Sequence, residues 1–128
     1  MDGSCQKVVI YGLNNYMTVI NDIIEEMNLA ELEFDIKLIM TEAISNAYIH
    51  GNKSDDEKPI TLRYFCDNNE FILEVEDCGE GFCNIVIPKE INDDYLFEEK
   101  GRGLYLLSCY ADKVEFKEKS LLIIKRLK

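Results

Sequence analysis

The sequence predicts an α+β fold, a two-layer α/β sandwich in which helices cover one face of a mixed, mostly antiparallel sheet. Two observations indicate this class. Short runs rich in β-branched residues occur near both ends of the chain and in its middle, and longer segments between them carry apolar residues at helical spacing. The predicted order is strand, helix, helix, hairpin, loop, helix, hairpin, and such grouping favours an antiparallel sheet with helices on one face.

The chain begins with a strand and a helix. Residues Lys7 to Tyr11 are mostly β-branched or aromatic, which is typical of a strand. Asn14 or Asn15 can cap the following helix, because a short polar side chain accepts hydrogen bonds from the free amides of a first turn. We expect this helix to run toward Met27.

The longest predicted helix lies between Glu31 and His50, and Gly51 follows it as a stop signal. Its apolar positions recur at helical spacing and are expected to face the core. These positions are Phe34, Leu38, Ile39, Ala43, Ile44 and Ala47.

Two hairpins are predicted. The strand-like runs Ile60 to Cys66 and Phe71 to Val75 are separated by the turn-forming residues Asp67 to Asn69, so we expect them to pair antiparallel. Val114 to Phe116 and Leu121 to Leu127 form the final hairpin.

A long loop and a short helix are predicted between the hairpins. Cys83 to Lys100 contains Pro88, several acids and no clear period, and loops of this length in compact domains are often functional lids. Leu104 to Tyr110 is predicted to be a helix preceded by Gly101 and Gly103.

Length, composition and net charge argue against several classes of function. The length of 128 residues and 47% apolar content suit one domain spanning residues 1–128. The apolar runs are far shorter than a membrane span and no signal pattern is present, so a soluble, cytoplasmic protein is expected. A net charge of -11 argues against nucleic acid and anionic membranes, so a protein partner should present a neutral or basic face. The five cysteines lack metal or redox spacing and are expected to be reduced thiols.

Three polar residues lie four apart on the long helix. Glu42, Asn46 and His50 should project from one stripe beside the apolar stripe that holds Ala43 and Ala47. Alone, such a stripe could equally be a solvated helix face.

A carboxylate and two glycines follow the second strand of the first hairpin. Asp77, Gly79 and Gly81 form the pattern D-C-G-E-G. A carboxylate only accepts hydrogen bonds, so it can accept one from the amino group of adenine, whereas guanine has an oxygen at that position and would be repelled. The glycines let the backbone approach a flat base closely. Alone, the pattern is also a common turn composition.

Glycines and cations precede the last predicted helix. Gly101, Arg102 and Gly103 open it, where free amides and the helix dipole favour phosphate oxygens, and Lys100 and Arg102 add positive charge. Alone, this pattern could be a flexible loop exit. The sequence contains neither a P-loop nor a dinucleotide-binding glycine motif.

The order and spacing of the three patterns resemble the GHKL superfamily, which includes gyrase, histidine kinases and mismatch-repair ATPases. The segment E-A-I-S-N-A-Y-I-H-G-N (Glu42 to Asn52) looks like its N box, D-C-G-E-G-F (Asp77 to Phe82) like its first glycine box, and K-G-R-G-L-Y-L-L (Lys100 to Leu107) like its second. The resemblance covers most of the chain from Glu31 onward and implies the Bergerat, histidine-kinase-like ATPase fold.

The resemblance implies an ATP site with Mg²⁺. Asn46 would hold the metal, Asp77 would bind adenine, and Glu42 would be the catalytic base. The other residues implied to bind or shape the nucleotide pocket are Gly79, Gly81, Lys100, Gly101, Arg102, Gly103 and Leu104.

Within the superfamily, the short lid, the lack of a second domain and the H-G pair after the N box are most similar to the anti-sigma-factor serine/threonine-protein kinases. This resemblance implies an enzyme that phosphorylates a small anti-sigma-factor antagonist protein and sequesters a sigma factor, and it allows a homodimer. The alternatives are an ATP-dependent regulatory binding module without chemistry, or a stand-alone GHKL ATPase.

The chain departs from the family at the final strand. A Gly-Thr pair, whose Thr helps hold adenine, is replaced by Lys119, Ser120 and Leu121. Ser120 is the candidate to take the place of that Thr.

Overall fold

A computed structural model of the protein describes residues 5–78, 99–116 and 120–127, with residues 99–104 described by their backbone alone. The described strands form one five-stranded sheet in the order β1-β2-β3-β5-β4. All four pairings are antiparallel, where the sequence predicted a mixed, mostly antiparallel sheet. The strands are β1 (Gln6–Tyr11), β2 (Pro59–Asp67), β3 (Glu70–Glu76), β4 (Lys113–Phe116) and β5 (Ser120–Arg126).

Helices cover one face of this sheet, so the predicted α+β sandwich and element order are confirmed. The α-helices are α1 (Tyr16–Glu26), α2 (Glu33–Asn46) and α3 (Glu99–Tyr110), and a 3₁₀ turn (Ala30–Leu32) joins the first two. Asn15 occupies the capping position of α1, but its side chain makes no capping hydrogen bond. Among the described helices none is long and apolar enough to cross a membrane.

The first hairpin forms where it was predicted, and its strands are joined by a two-residue turn. Asp67 pairs with Glu70, so only Asn68 and Asn69 form the loop. Both adopt positive φ angles, 51° and 63°, as a type I′ turn requires. Asparagine tolerates this left-handed conformation better than most residues, which explains why two of them stand here.

The core lies between the sheet and the helices. Alternate residues of β2 and β3 point toward α2, whose buried side chains recur every three or four positions. The largest fully buried side chains include Phe71, Ile20, Ile23, Ile36, Ile39, Met40, Ile44, Ile60, Leu62 and Leu73.

The prediction that Phe34 faces the core is wrong, since its side chain is 69% exposed. The buried stripe of α2 passes through Ile36, Ile39 and Met40 instead. Phe34 lies two residues before Ile36, and residues at that spacing project from different sides of a helix. Leu38, also predicted to be in the core, is only half-buried for the same reason.

The predicted start of the last helix is also wrong. α3 begins at Glu99, so Lys100 belongs to the helix rather than to the preceding loop, and Gly101 and Gly103 lie inside its first turns. Each glycine lowers helix propensity by about 1 kcal/mol relative to alanine. Packing of α3 against α2 provides the tertiary contacts that override this weak propensity.

Candidate functional site

The end of α2 widens into a π turn that spans Ala47–Gly51. The amide of Asn52 donates to the carbonyl of Ala47 at 2.8 Å, a bond across five residues instead of four. The predicted stripe of Glu42, Asn46 and His50 thus passes from the α-helix into this wider turn, which contains His50. Such π turns within helices occur frequently at functional sites.

Asn46 is the last residue of α2 and is only 5% exposed. Its amide nitrogen donates to the backbone carbonyl of Glu42 at 2.9 Å. This bond uses the nitrogen, and the amide oxygen is the atom type that a hard cation prefers. The Glu42 side chain lies one turn earlier and is half-buried.

Asp77 follows β3 directly and is 1% exposed. It packs against Gly51 at the end of the π turn, where a Cβ atom on Gly51 would lie 2.2 Å from Asp77 Oδ2. No side chain fits in that space unless the carboxylate moves. Glycine at this position therefore allows the end of the α2 segment and the end of β3 to meet.

Asn52 links the end of the π turn to the start of β2 and to the residue after Asp77, and the sequence did not predict this role. Its side chain is fully buried. The amide nitrogen donates to the carbonyls of Lys58 and Pro59 at 3.1 and 3.2 Å, and the amide oxygen accepts from the Cys78 amide at 2.8 Å. Asn52 thereby fixes the residue that follows Asp77 to the start of β2. The sequence feature that could have indicated this role of Asn52 is a polar residue directly after the glycine that ends the helix.

Tyr48 holds the connection between the π turn and β2. Its hydroxyl donates to the Asp56 carboxylate and lies 3.2 Å from the Ser54 carbonyl. The Asp56 hydrogen bond is the main cause that raises the pKa of Tyr48. Lys53 and Ser54 both have positive φ, so the chain reverses sharply after Asn52 and returns to the sheet.

The other predicted site residues are only partly described. The backbone of Lys100, Gly101, Arg102, Gly103 and Leu104 lies in the first turns of α3, which packs against α2. Gly79, Gly81 and the predicted lid as far as residue 98 lie outside the described residues.

Ser120 does not face the same side of the sheet as Asp77. It pairs with Glu76 and its hydroxyl donates to the Glu74 carboxylate at 3.2 Å, on the face without helices. Because side chains alternate along a strand, the next residue, Leu121, points to the helix-covered face and is buried there. An apolar side chain thus occupies the helix-facing position at this end of β5.

Arg63 completes the polar group on the face without helices. It lies 2.7 Å from Glu76 and 3.3 Å from Glu74. The Glu76 hydrogen bond is the main cause that raises the pKa of Arg63. These carboxylates are therefore part of the sheet surface and not of the junction at Asp77.

The sequence pattern of the histidine kinase-like ATPase domain matches residues 13–125. The chain is similar to an anti-sigma F factor of Clostridium perfringens, with 30% identity over 99 residues that cover 73% of this chain and 71% of the relative. It is also similar to a serine-protein kinase RsbW of Listeria monocytogenes, with 29% identity over 87 residues that cover 63% and 55%. The fold, the site at the end of α2 and these similarities agree, and the chain belongs to the family of histidine kinase-like ATPase domains.

Proposed function

We propose that this chain is an ATP-dependent serine/threonine protein kinase that phosphorylates a small anti-sigma-factor antagonist and sequesters a sigma factor. The observation that carries the proposal is the junction at which the polar end of α2 meets the end of β3, with Asp77 packed against Gly51. This junction joins a buried carboxylate to the helix that holds Asn46 and Glu42.

Asp77 is the adenine-binding residue of the proposal. A carboxylate offers acceptors only, so it favours the amino group of adenine over the oxygen that guanine has at the same position. Asn52 holds the adjacent backbone through its 2.8 Å hydrogen bond with the Cys78 amide. A carboxylate fixed in this way loses little freedom when a base binds.

Asn46 is the metal-binding residue of the proposal. Its amide nitrogen is bonded to the Glu42 carbonyl, so the oxygen is the atom available to a hard cation. Asn46 would hold Mg²⁺ through this oxygen, and the bound metal would supply positive charge that offsets the charge of the phosphate groups. The first turns of α3, with Lys100, Gly101 and Arg102, would contact the phosphates through their amides and positive charges.

Glu42 is the general base of the proposal. It lies one helical turn before Asn46 and is half-buried, so its carboxylate can reach an incoming hydroxyl at the surface. It would accept the hydroxyl proton as the acceptor oxygen forms its bond to phosphorus and ADP leaves.

The names of the relatives support the choice of partners. One is an anti-sigma factor and another a serine-protein kinase, which together suggest a sigma factor and a serine-bearing acceptor. The net charge of -11 favours partners whose contact faces are neutral or basic.

Glu42→Gln and Asn46→Ala separate the proposed roles. Glu42→Gln keeps the shape and removes the basic oxygen, so Mg²⁺-ATP affinity should stay near the parental value while phosphoryl transfer falls by about 10² to 10⁴. Asn46→Ala should weaken Mg²⁺-dependent ATP binding itself. Calorimetry measures the affinity for Mg²⁺-ATP, and transfer of labelled phosphate to a purified antagonist measures phosphoryl transfer.

Two results would contradict the proposal. If Glu42→Gln transfers phosphate at the parental rate, Glu42 is not the base. If the parent protein binds ATP and a sigma factor but phosphorylates no antagonist, it is a regulatory binding module and not a kinase.

A further inference from the structure

An apolar groove lies on the outward side of α2. Phe34 lines it, and the groove has a volume of about 390 Å³. The residues that line it are Glu33, Phe34, Lys37, Leu38 and Thr41, and we call this surface the α2 groove. Phe34 is among the most exposed large apolar side chains of the described residues.

The Phe34 ring is held in place although most of it is exposed. Its edge packs against Tyr110 at the end of α3, with 6.0 Å between ring centroids and 69° between ring planes. A positioned aromatic ring with a free face loses little entropy when a partner covers it. Such residues often dominate the binding energy of protein interfaces.

The α2 groove lies next to Glu42. Leu38 and Glu42 are four residues apart and are therefore neighbours on the helix surface. The helical rise places Phe34 about 12 Å from Glu42 along the axis. An interface of about 800 Å² per partner would cover both residues.

Acidic residues lie in and near the α2 groove. Glu33 is paired with Lys37 at 3.1 Å and Asp35 with Lys125 at 3.4 Å, while Glu31 is exposed beside them. With Glu42 at the other end of the helix, this surface carries more negative than positive charge. It complements a partner with an apolar contact point inside a neutral or basic rim.

We propose that the α2 groove is the docking surface for the acceptor protein that this chain phosphorylates. This inference rests on the proposed function. A protein held on Phe34 and Leu38 would present its serine hydroxyl at the adjacent Glu42, and this proximity would favour transfer to that protein over free serine.

Phe34→Ala tests the docking surface, with Tyr11→Ala as the matched control. Tyr11 is also an exposed aromatic residue, 58% exposed, but it lies on the opposite side of the sheet. In the full chain, Phe34→Ala should weaken binding of a purified anti-sigma-factor antagonist from the same organism by about tenfold or more and raise its KM similarly. ATP affinity, the thermal midpoint and kcat at saturating antagonist should stay near parental values, and Tyr11→Ala should match the parent throughout.

The outcomes separate this inference from the proposed function. If the parent phosphorylates the antagonist and Phe34→Ala does so with the same KM and affinity, the docking inference is wrong and the kinase function stands. If Phe34→Ala weakens only sigma-factor binding, the groove serves the sigma factor and the inference is also wrong. If the parent binds the antagonist through Phe34 but transfers no phosphate, the kinase function is wrong, and the α2 groove binds the antagonist without being a docking surface for an acceptor.

Discussion

Asn52 should be essential for the stability of the junction between α2, β2 and β3. Its side chain makes three hydrogen bonds, two to the carbonyls of Lys58 and Pro59 and one from the Cys78 amide, and it is fully buried. Asn52→Ala removes all three bonds together. A buried donor or acceptor without a partner costs about 1 to 3 kcal/mol, and the part-buried Cys78 amide, which has a single N–H, would lose its acceptor.

We expect Asn52→Ala to lower the free energy of unfolding by about 2 to 4 kcal/mol. With a urea slope of about 2 kcal/mol/M, the midpoint should fall by about 1 to 2 M at an unchanged slope. Asn52→Asp should also destabilise the protein although its volume is the same, because it turns a carboxylate oxygen toward the carbonyls of Lys58 and Pro59. This second variant separates lost hydrogen bonds from lost packing.

Asn15→Ala is the matched control, because Asn15 lies at the capping position of α1 without a capping hydrogen bond from its side chain. Its loss should change stability by less than about 0.5 kcal/mol. If Asn52→Ala behaves like Asn15→Ala, the hydrogen bonds of Asn52 do not hold the junction. ATP affinity, measured on the folded fraction, should also fall in Asn52→Ala because the backbone beside Asp77 is released.

Two further changes test the packing of the site and of the sheet. Gly51→Ala would place its Cβ 2.2 Å from Asp77 Oδ2, so the carboxylate must move and ATP affinity should fall by about tenfold or more in calorimetry; parental affinity would contradict this. Burial first, and its hydrogen bond to Glu26 second, raise the pKa of Tyr64 from 10.0 to about 12. The folded state therefore binds the Tyr64 hydroxyl proton more tightly than the unfolded state. This difference adds about 2 to 3 kcal/mol to the free energy of unfolding below pH 10, and the contribution is lost as the pH rises to about 12. Tyr64→Phe should remove this alkaline loss from urea titrations, and an unchanged pH dependence would contradict the assignment.

Local patterns allowed the strands and the first hairpin to be predicted from sequence. β2 and β3 alternate between buried and half-buried side chains, and the two asparagines between them suit a turn with positive φ. These features depend on neighbours in the chain, so the sequence contains the relevant information. The same holds for Asp77, which was correctly placed at the end of a strand.

The errors arose where packing over long distances decides the structure. Phe34 and Leu38 fit a helical period, but the sheet buries the set that contains Ile36 and Met40. The hydrogen bond between Asn52 and the Cys78 amide joins residues 26 apart, and no local pattern announces it. The π turn likewise has no signal in the local pattern, and it ends where Gly51 meets Asp77, a residue distant in the chain.

The two sides of α2 would allow one helix to serve both the proposed nucleotide and the proposed acceptor protein. Its buried end carries Asn46 and leads through the π turn to Asp77, so we expect changes there to act on nucleotide binding and on the stability of the fold. Its outward side carries the exposed Phe34 and turns toward solvent, so changes there leave the core intact. Glu42 lies between these two sides, one turn from Asn46 and one turn from Leu38. A base in that position, as proposed for Glu42, would lie near both a bound nucleotide and a bound acceptor, so phosphoryl transfer would depend on the bound protein as well as on ATP.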